Sequence, residues 1–215
     1  MSERATRTTR APRPTTSRRH ARPAAAWPED VGLALPLPQP SAAELAQALR
    51  EGGVVRDYAF DYYLPPALSA VSGEHWTPVR VAVRAARWFL DTDAQTVLDV
   101  GAGAGKFCVI AALVTGRQVI GLEHRPALIA AATELAHTFG VADRVRFVEG
   151  AVGHTPLDGF DGYYLFNPFG ENLLGTSGVL DAEVEVSHSR WLRDVQTTEA
   201  LLDRLPVGTR VVTYN

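Results

Sequence analysis

The hydrophobic positions change period several times after residue 40, and each change marks an element. Ser41-Ala-Ala-Glu44 has capping-box spacing, Leu45 and Leu49 follow four apart on one face, and Gly52-Gly53 stops the run, which predicts a short helix. Thr77 before Pro78 predicts an N-cap and a first-turn proline for a helix from Pro78 to about Leu90, with Val79, Val83, Ala86 and Phe89 or Leu90 inward. Beyond Asp93, short apolar runs alternate with longer amphipathic ones. Strands are predicted at 96–100, 118–122, 144–148, 162–166 and 209–213, and helices at 106–115, 126–139 and about 189–205. This alternation predicts an α/β fold, a doubly wound, mostly parallel sheet with helices on both faces, whose ligands bind at the carboxyl ends of the strands.

Composition adds a tail and a charge asymmetry. The 215 residues, 46% apolar and 21% charged, suffice for one folded domain. Residues 1–40 are rich in Arg, Thr, Ser, Ala and Pro without periodicity, and read as a disordered tail. Residues 1–22 hold seven arginines against Glu3, so a +6 segment precedes a body of −9 within a net charge of −3. Attraction to phosphate backbones would reside in the tail, and an acidic body ranks small molecules or protein side chains above nucleic acid as partners. No apolar run reaches the 18 or more residues of a membrane helix. The single cysteine, Cys108, excludes an internal disulfide, so a reducing, cytoplasmic setting is expected. The chain is read as a tail (1–40), an amino-terminal helical and aromatic extension (41–92) and a ligand-binding domain (93–215).

The end of the first strand carries the chemistry: Asp99-Val100-Gly101-Ala102-Gly103-Ala104-Gly105-Lys106-Phe107. Alternate glycines let the backbone turn sharply beside a ligand, and the helix behind presents free amides. A Walker loop fails at Val100 and Phe107, and the dinucleotide fingerprint fails at Lys106, where glycine is required. The remaining pattern, D-x-G-x-G-x-G, resembles that of the class I S-adenosylmethionine-dependent methyltransferases. Glu123, closing the second strand 22 residues after Gly101, and Asn167-Pro168-Phe169, closing the fourth, extend the resemblance over Trp76 to Asn215.

The resemblance implies S-adenosylmethionine as cofactor. It assigns the methionine part to Asp99 and the backbone of Gly101, Ala102, Gly103 and Gly105, and the ribose to Glu123. Trp76-Thr77-Pro78 resembles a segment that amino methyltransferases use against the cofactor carboxylate, which implicates Thr77; an ordinary helix cap is the rival reading. After the third strand the family commonly has Gly-Asp, whereas this chain reads Glu149-Gly150-Ala151; the expected acid is missing, leaving a backbone amide of Ala151 or the displaced Glu149 to serve. His124, like His75, is expected to flank the cleft, and neither has a partner at metal-ligand spacing, so metal dependence is not expected.

Asn167-Pro168-Phe169 resembles the Asn/Asp-Pro-Pro-aromatic motif of methyltransferases acting on amino groups, with one proline absent. It implies methyl transfer to nitrogen, with Asn167 orienting the acceptor. Glu171 is a candidate general base or a charge partner for a cationic acceptor. Tyr58, Phe60, Tyr62 and Tyr63 allow a lid over the acceptor or, preferably, packing of the extension. The final antiparallel hairpin of the family sheet is expected to be lacking, which would leave the fifth strand at an edge where a homodimer could form. A non-catalytic, degenerate domain that tethers a partner is the alternative from another class.

Overall fold

The computed structural model describes residues 38–173, 180 and 184–214. The expected disordered tail lies outside them except for its last three residues. The secondary-structure elements lie in the unit from Gln39 onward. Its elements run in the order α1 (Ala42–Arg50), α2 (Asp57–Asp61), α3 (Pro66–Ala70), α4 (Ser72–His75), α5 (Val79–Leu90), β1 (Thr96–Val100), α6 (Lys106–Thr115), β2 (Gln118–Glu123), α7 (Pro126–Thr138), β3 (Val145–Glu149), β4 (Gly162–Phe166), a 3-10 turn (Gly170–Leu173), α8 (His188–Leu202) and β5 (Arg210–Tyr214).

Local chemistry explains most boundaries. The predicted capping box is present: Ser41 Oγ accepts from the Glu44 amide at 3.2 Å, and Glu44 accepts from the Ser41 amide at 2.7 Å. The expected cap at Thr77 is a correction. Helix α5 begins at Val79 with Pro78 as its N-cap. The Val79 amide donates to Asp57 Oδ1 at 2.8 Å, while the Thr77 hydroxyl lies 3.2 Å from the Tyr164 hydroxyl. A carboxylate from another helix takes the place of the local hydroxyl because it is held below the usual aspartate range, and so ionised, beside the positive end of the helix. The inward face of α5 is Val79, Ala82, Ala85, Ala86 and Phe89, with Val83 only partly buried and Leu90 exposed.

Five parallel strands form one sheet in the order β3-β2-β1-β4-β5. The direction of winding reverses between β1 and β4, which opens a crevice at their carboxyl ends. The sheet separates two apolar clusters, one containing Phe89, Val97 and Ile110, the other Leu98, Leu122 and Tyr163. Helix α6 is apolar on nearly every side, with Lys106 through Leu113 all buried, because α1, α5 and α7 pack around it against the sheet.

Residues 41–92 share the first of these cores with the sheet; Leu45, Phe60, Leu64 and Trp76 belong to it. Phe60 stacks on Phe139 with ring centroids 4.5 Å apart, and the Tyr63 hydroxyl donates to the Pro40 carbonyl. Tyr58 and Tyr62 are exposed, and none of the four aromatics lines the cleft at the strand ends. Phe60 and Tyr63 pack the extension onto the domain, and none of the four is placed as a lid. Among the described residues β5 pairs only with β4, and no antiparallel strand is present. No helix among them is long and apolar enough to cross a membrane.

Candidate functional site

The ends of β1, β2 and β4 meet around one cleft, whose lining includes Gly101, Gly103, Glu123, His124, Gly150, Ala151, Asn167 and Glu171. A small adjoining recess is bordered by Trp76, Thr77, Asp99, Ala102 and Lys106. The sequence-predicted residues therefore converge, with one exception. Gly105 borders neither space; a Cβ there would meet Ala132 and Phe147 at 2.7 Å, so its role is close packing at the start of α6.

Gly103 shows why the loop needs glycine. Its φ is +54°, and a Cβ on it would lie 2.5 Å from the Trp76 ring. The Trp76 indole is fixed in turn by donating to the Leu68 carbonyl at 2.9 Å. The extension thus forms a wall of the glycine loop.

Glu123 organises the other side. Its Oε2 accepts from the Gly103 amide at 3.0 Å, and its Oε1 accepts from the amides of His124 and Arg125 at 2.8 and 3.0 Å. Burial pushes this carboxyl up, but the His124 contact and the hydrogen bond and charge of Arg125 outweigh it and hold the group below the usual glutamate range. The ionised acid at the end of β2 is thereby tied to the glycine loop.

Asp99 is 3% exposed and accepts from Cys108 Sγ at 3.2 Å. Burial pushes its carboxyl up to about 7, with the Glu123 charge adding to the rise and the Cys108 hydrogen bond opposing it. Since the folded pKa is raised above an unfolded value of about 3.9, Asp99 favours folding fully below about pH 4, and that contribution is lost as pH rises through about 7. Asp99→Asn should consequently melt higher than wild type at pH 8, with the gain shrinking toward pH 4. Melting curves across this range check it; a pH-independent difference would remove the assignment.

Asn167 is exposed at the end of β4 with φ +40°, and its amide donates to the Tyr214 carbonyl at 2.9 Å. Gly170 approaches so closely that a Cβ would lie 2.1 Å from Asn167 Nδ2. The turn thus holds the side-chain amide at the rim where β1 and β4 diverge. Glu171 differs from expectation: Oε2 is 2.6 Å from Arg125 Nη2, and Oε1 accepts from the Leu180 amide at 2.7 Å. With both oxygens engaged, its carboxylate is a tie between loops. That arrangement speaks against a general base and against a free charge for a cationic acceptor.

Three contributors were not anticipated. Lys106, noted in the sequence only for breaking a fingerprint, sends a buried ammonium to Asp57 and Asp61 at 2.7 Å each. Arg125 and Asn172 line the cleft. Their one sequence signal is proximity to Glu123 and Asn167. Among the described residues no group of His, Cys, Asp and Glu is arranged to hold a metal ion.

Residues 91–173 match the profile of a family described as a methyltransferase domain. A ribosomal protein L11 methyltransferase of Deinococcus radiodurans is 34% identical over 90 residues, 42% of this chain and 32% of that protein, so the chain spans about a third of this curated relative. Among solved structures, an RNA methyltransferase of Salinibacter ruber in complex with S-adenosyl-L-homocysteine is similar at 25% identity, over 64% of this chain and 75% of that one, with a TM-score of 0.47. A Geobacter sulfurreducens S-adenosylmethionine-dependent methyltransferase in complex with the same ligand is similar at 22% identity, over 70% of this chain and 55% of that one, with a TM-score of 0.46. Residues 91–173, which hold the glycine loop and the strand-end acid, thus match a methyltransferase domain family, on a parallel sheet of order β3-β2-β1-β4-β5.

Proposed function

We propose that this protein binds S-adenosylmethionine and transfers its methyl group to a nitrogen of a small molecule or a protein side chain. The observation that carries the reading is the meeting of Glu123 with the Gly103 amide at 3.0 Å, which joins the strand-end acid to the glycine loop in one cleft. The residues fit the cofactor: Glu123 presents an ionised acceptor for ribose hydroxyls, and Asp99 presents a carboxyl whose ionisation a cationic ligand group would favour. Bound there, S-adenosylmethionine would supply an electrophilic methyl group on a sulfonium.

The chain's own contribution is alignment and exclusion of water, since an in-line displacement gains most from a fixed approach. Asn167, held by Gly170 and by the Tyr214 carbonyl, is placed to accept a hydrogen bond from the acceptor nitrogen. Phe166, Pro168 and Phe169 line the same cleft and give an acceptor an apolar seat. The Deinococcus relative is named for a protein substrate, which supports a protein among the acceptors.

Calorimetric titration with S-adenosylmethionine and S-adenosylhomocysteine, with NAD as control, tests the cofactor; a screen with labelled methyl groups tests transfer. Asn167→Ala should lower turnover about 100-fold, the scale of a lost aligning hydrogen bond, with cofactor affinity changed less than about threefold. Binding without transfer, indifferent to this substitution, would favour a tethering protein over an enzyme.

A further inference from the structure

Helix α5 carries three arginines and no acid, within a body whose net charge is −9. Arg80, Arg84 and Arg87 recur at the spacing of one helical face, and Trp88 borders that face. All four are exposed, Trp88 at 42%, while Val79, Ala82, Ala85, Ala86 and Phe89 fill the buried side. Packing accounts for the inner face and leaves the outer one to another cause.

A solvated helix face is best stabilised by charges of alternating sign. Arg80 with Arg84, and Arg84 with Arg87, are instead like-charged neighbours four and three positions apart, which disfavours the helix in isolation. Among the described residues none of the three forms an ion pair. Asp91, at the C-cap four positions after Arg87, is an acid on the same line and is not paired with it. Arg87 packs on the turn that ends α1, where a Cβ on Gly52 would lie 3.1 Å from its Nη2. That contact brings the last turn of α1, with the exposed Arg50, beside the stripe, while Glu51 accepts from Gln47 at 2.8 Å.

The chemistry of the stripe narrows its partner. Guanidinium groups spread over about 12 Å of helix, from Arg80 to Trp88, suit a chain of phosphates, since each fork matches phosphate oxygens. The Arg84 guanidinium lies 5.4 Å from the centroid of the Trp88 ring, so a flat cationic and aromatic surface stands beside the other charges. Unpaired bases stack on such surfaces, and RNA displays them in its loops and single strands, whereas a duplex keeps its bases inside. An anionic membrane would meet the same charges, but the apolar side of α5 is buried and the arginine face offers one ring to insert. The stripe also leads to the candidate site. Trp76 and Thr77, which border the recess beside the cleft, stand within a turn of Arg80 in sequence.

We infer that the outward face of α5 is a docking surface for single-stranded RNA, with Arg80, Arg84 and Arg87 on its phosphates and Trp88 under a base. Attraction to phosphate backbones is thus not confined to the arginine-rich tail, in spite of the acidic body. The docking surface is additional to the methyl-transfer reading and does not depend on which atom accepts the methyl group.

Fluorescence anisotropy of the full chain with a labelled oligouridylate of about 12 nucleotides, across roughly 50–300 mM salt, tests this. Arg80→Gln, Arg84→Gln and Arg87→Gln combined should reduce the slope of log affinity against log salt by about 2, since each phosphate contact on a single strand is worth about 0.7. Trp88→Ala should weaken binding about tenfold with the slope unchanged, the signature of a lost stacking platform. Melting curves identify a variant that fails to fold; Arg80→Gln with Arg84→Gln, expected to reduce the slope by about 1.4, then takes the place of the triple variant. An unchanged slope in the arginine variants would assign the contacts to the tail and overturn the proposal. Failure of wild type to bind the oligouridylate overturns it as well, and so does binding of phosphatidylserine vesicles in its stead. Duplex DNA of the same length bound as tightly, with Trp88→Ala indifferent, removes RNA as the partner. None of these outcomes bears on the cofactor reading, which calorimetry with S-adenosylhomocysteine decides separately.

Discussion

Lys106→Met should lower the unfolding free energy by roughly 3–5 kcal/mol, the cost of breaking a buried ion pair from one side. The Lys106 side chain is 2% exposed, and its ammonium lies 2.7 Å from Asp57 Oδ1 and from Asp61 Oδ1 and 3.3 Å from Ser72 Oγ. Methionine fills a similar volume but leaves the buried Asp61 carboxylate uncompensated. It also loosens Asp57, whose Oδ1 caps α5 through the Val79 amide. Against a typical domain stability of about 5–15 kcal/mol this is a large fraction. Urea unfolding measures it. The double variant Lys106→Met with Asp61→Asn should recover part of the loss, because the stranded charge is then gone. A loss below about 1 kcal/mol would mean that water reaches the pair. Since the same extension supplies Trp76 to the glycine loop, folded Lys106→Met should also bind S-adenosylhomocysteine more weakly than wild type.

Glu123→Ala should reduce affinity for S-adenosylhomocysteine about 100-fold or more, equivalent to about 2.7 kcal/mol. Two losses add. The variant lacks the ionised acceptor for ligand hydroxyls, and it strands the amides of Gly103, His124 and Arg125, which all donate to this carboxylate. The glycine loop then loses its tie to β2, and the site must be reorganised at the ligand's expense. Glu123→Gln keeps a side-chain acceptor but loses the charge, so it should fall between wild type and alanine. Calorimetry with the three proteins gives the order. Unchanged affinity in Glu123→Ala would reduce the residue to a loop staple.

Much of the domain was legible because its signals are local. The β1 and β4 boundaries and those of α6 follow from short apolar runs bounded by turn residues, and the structure has them at Thr96–Val100, Gly162–Phe166 and Lys106–Thr115. Helix α8 begins one residue before the predicted Ser189 and ends at Leu202, three short of Leu205, where fraying and the following turn compete. The cap of α5 was misplaced because its true acceptor, Asp57, is remote in sequence. The candidate site divides the same way. Gly103 and Glu123 announce themselves by spacing, while the partner that engages Glu171, Arg125, lies 46 positions away in sequence.

The sequence by itself determined the alternation of strands and helices, the glycine loop, the acid that closes β2 and the asparagine that closes β4, since each depends on residue type and short-range spacing. Tertiary structure alone decided which polar groups are buried and with whom. Lys106 reaches Asp57 across 49 positions, Arg125 reaches Glu171 across 46, and Thr77 meets Tyr164 across 87. In a linear sequence each of these residues is indistinguishable from a solvated surface group. Only when the sheet brings the strand ends together does the loss of water fix their partners, and with them the shape of the cleft.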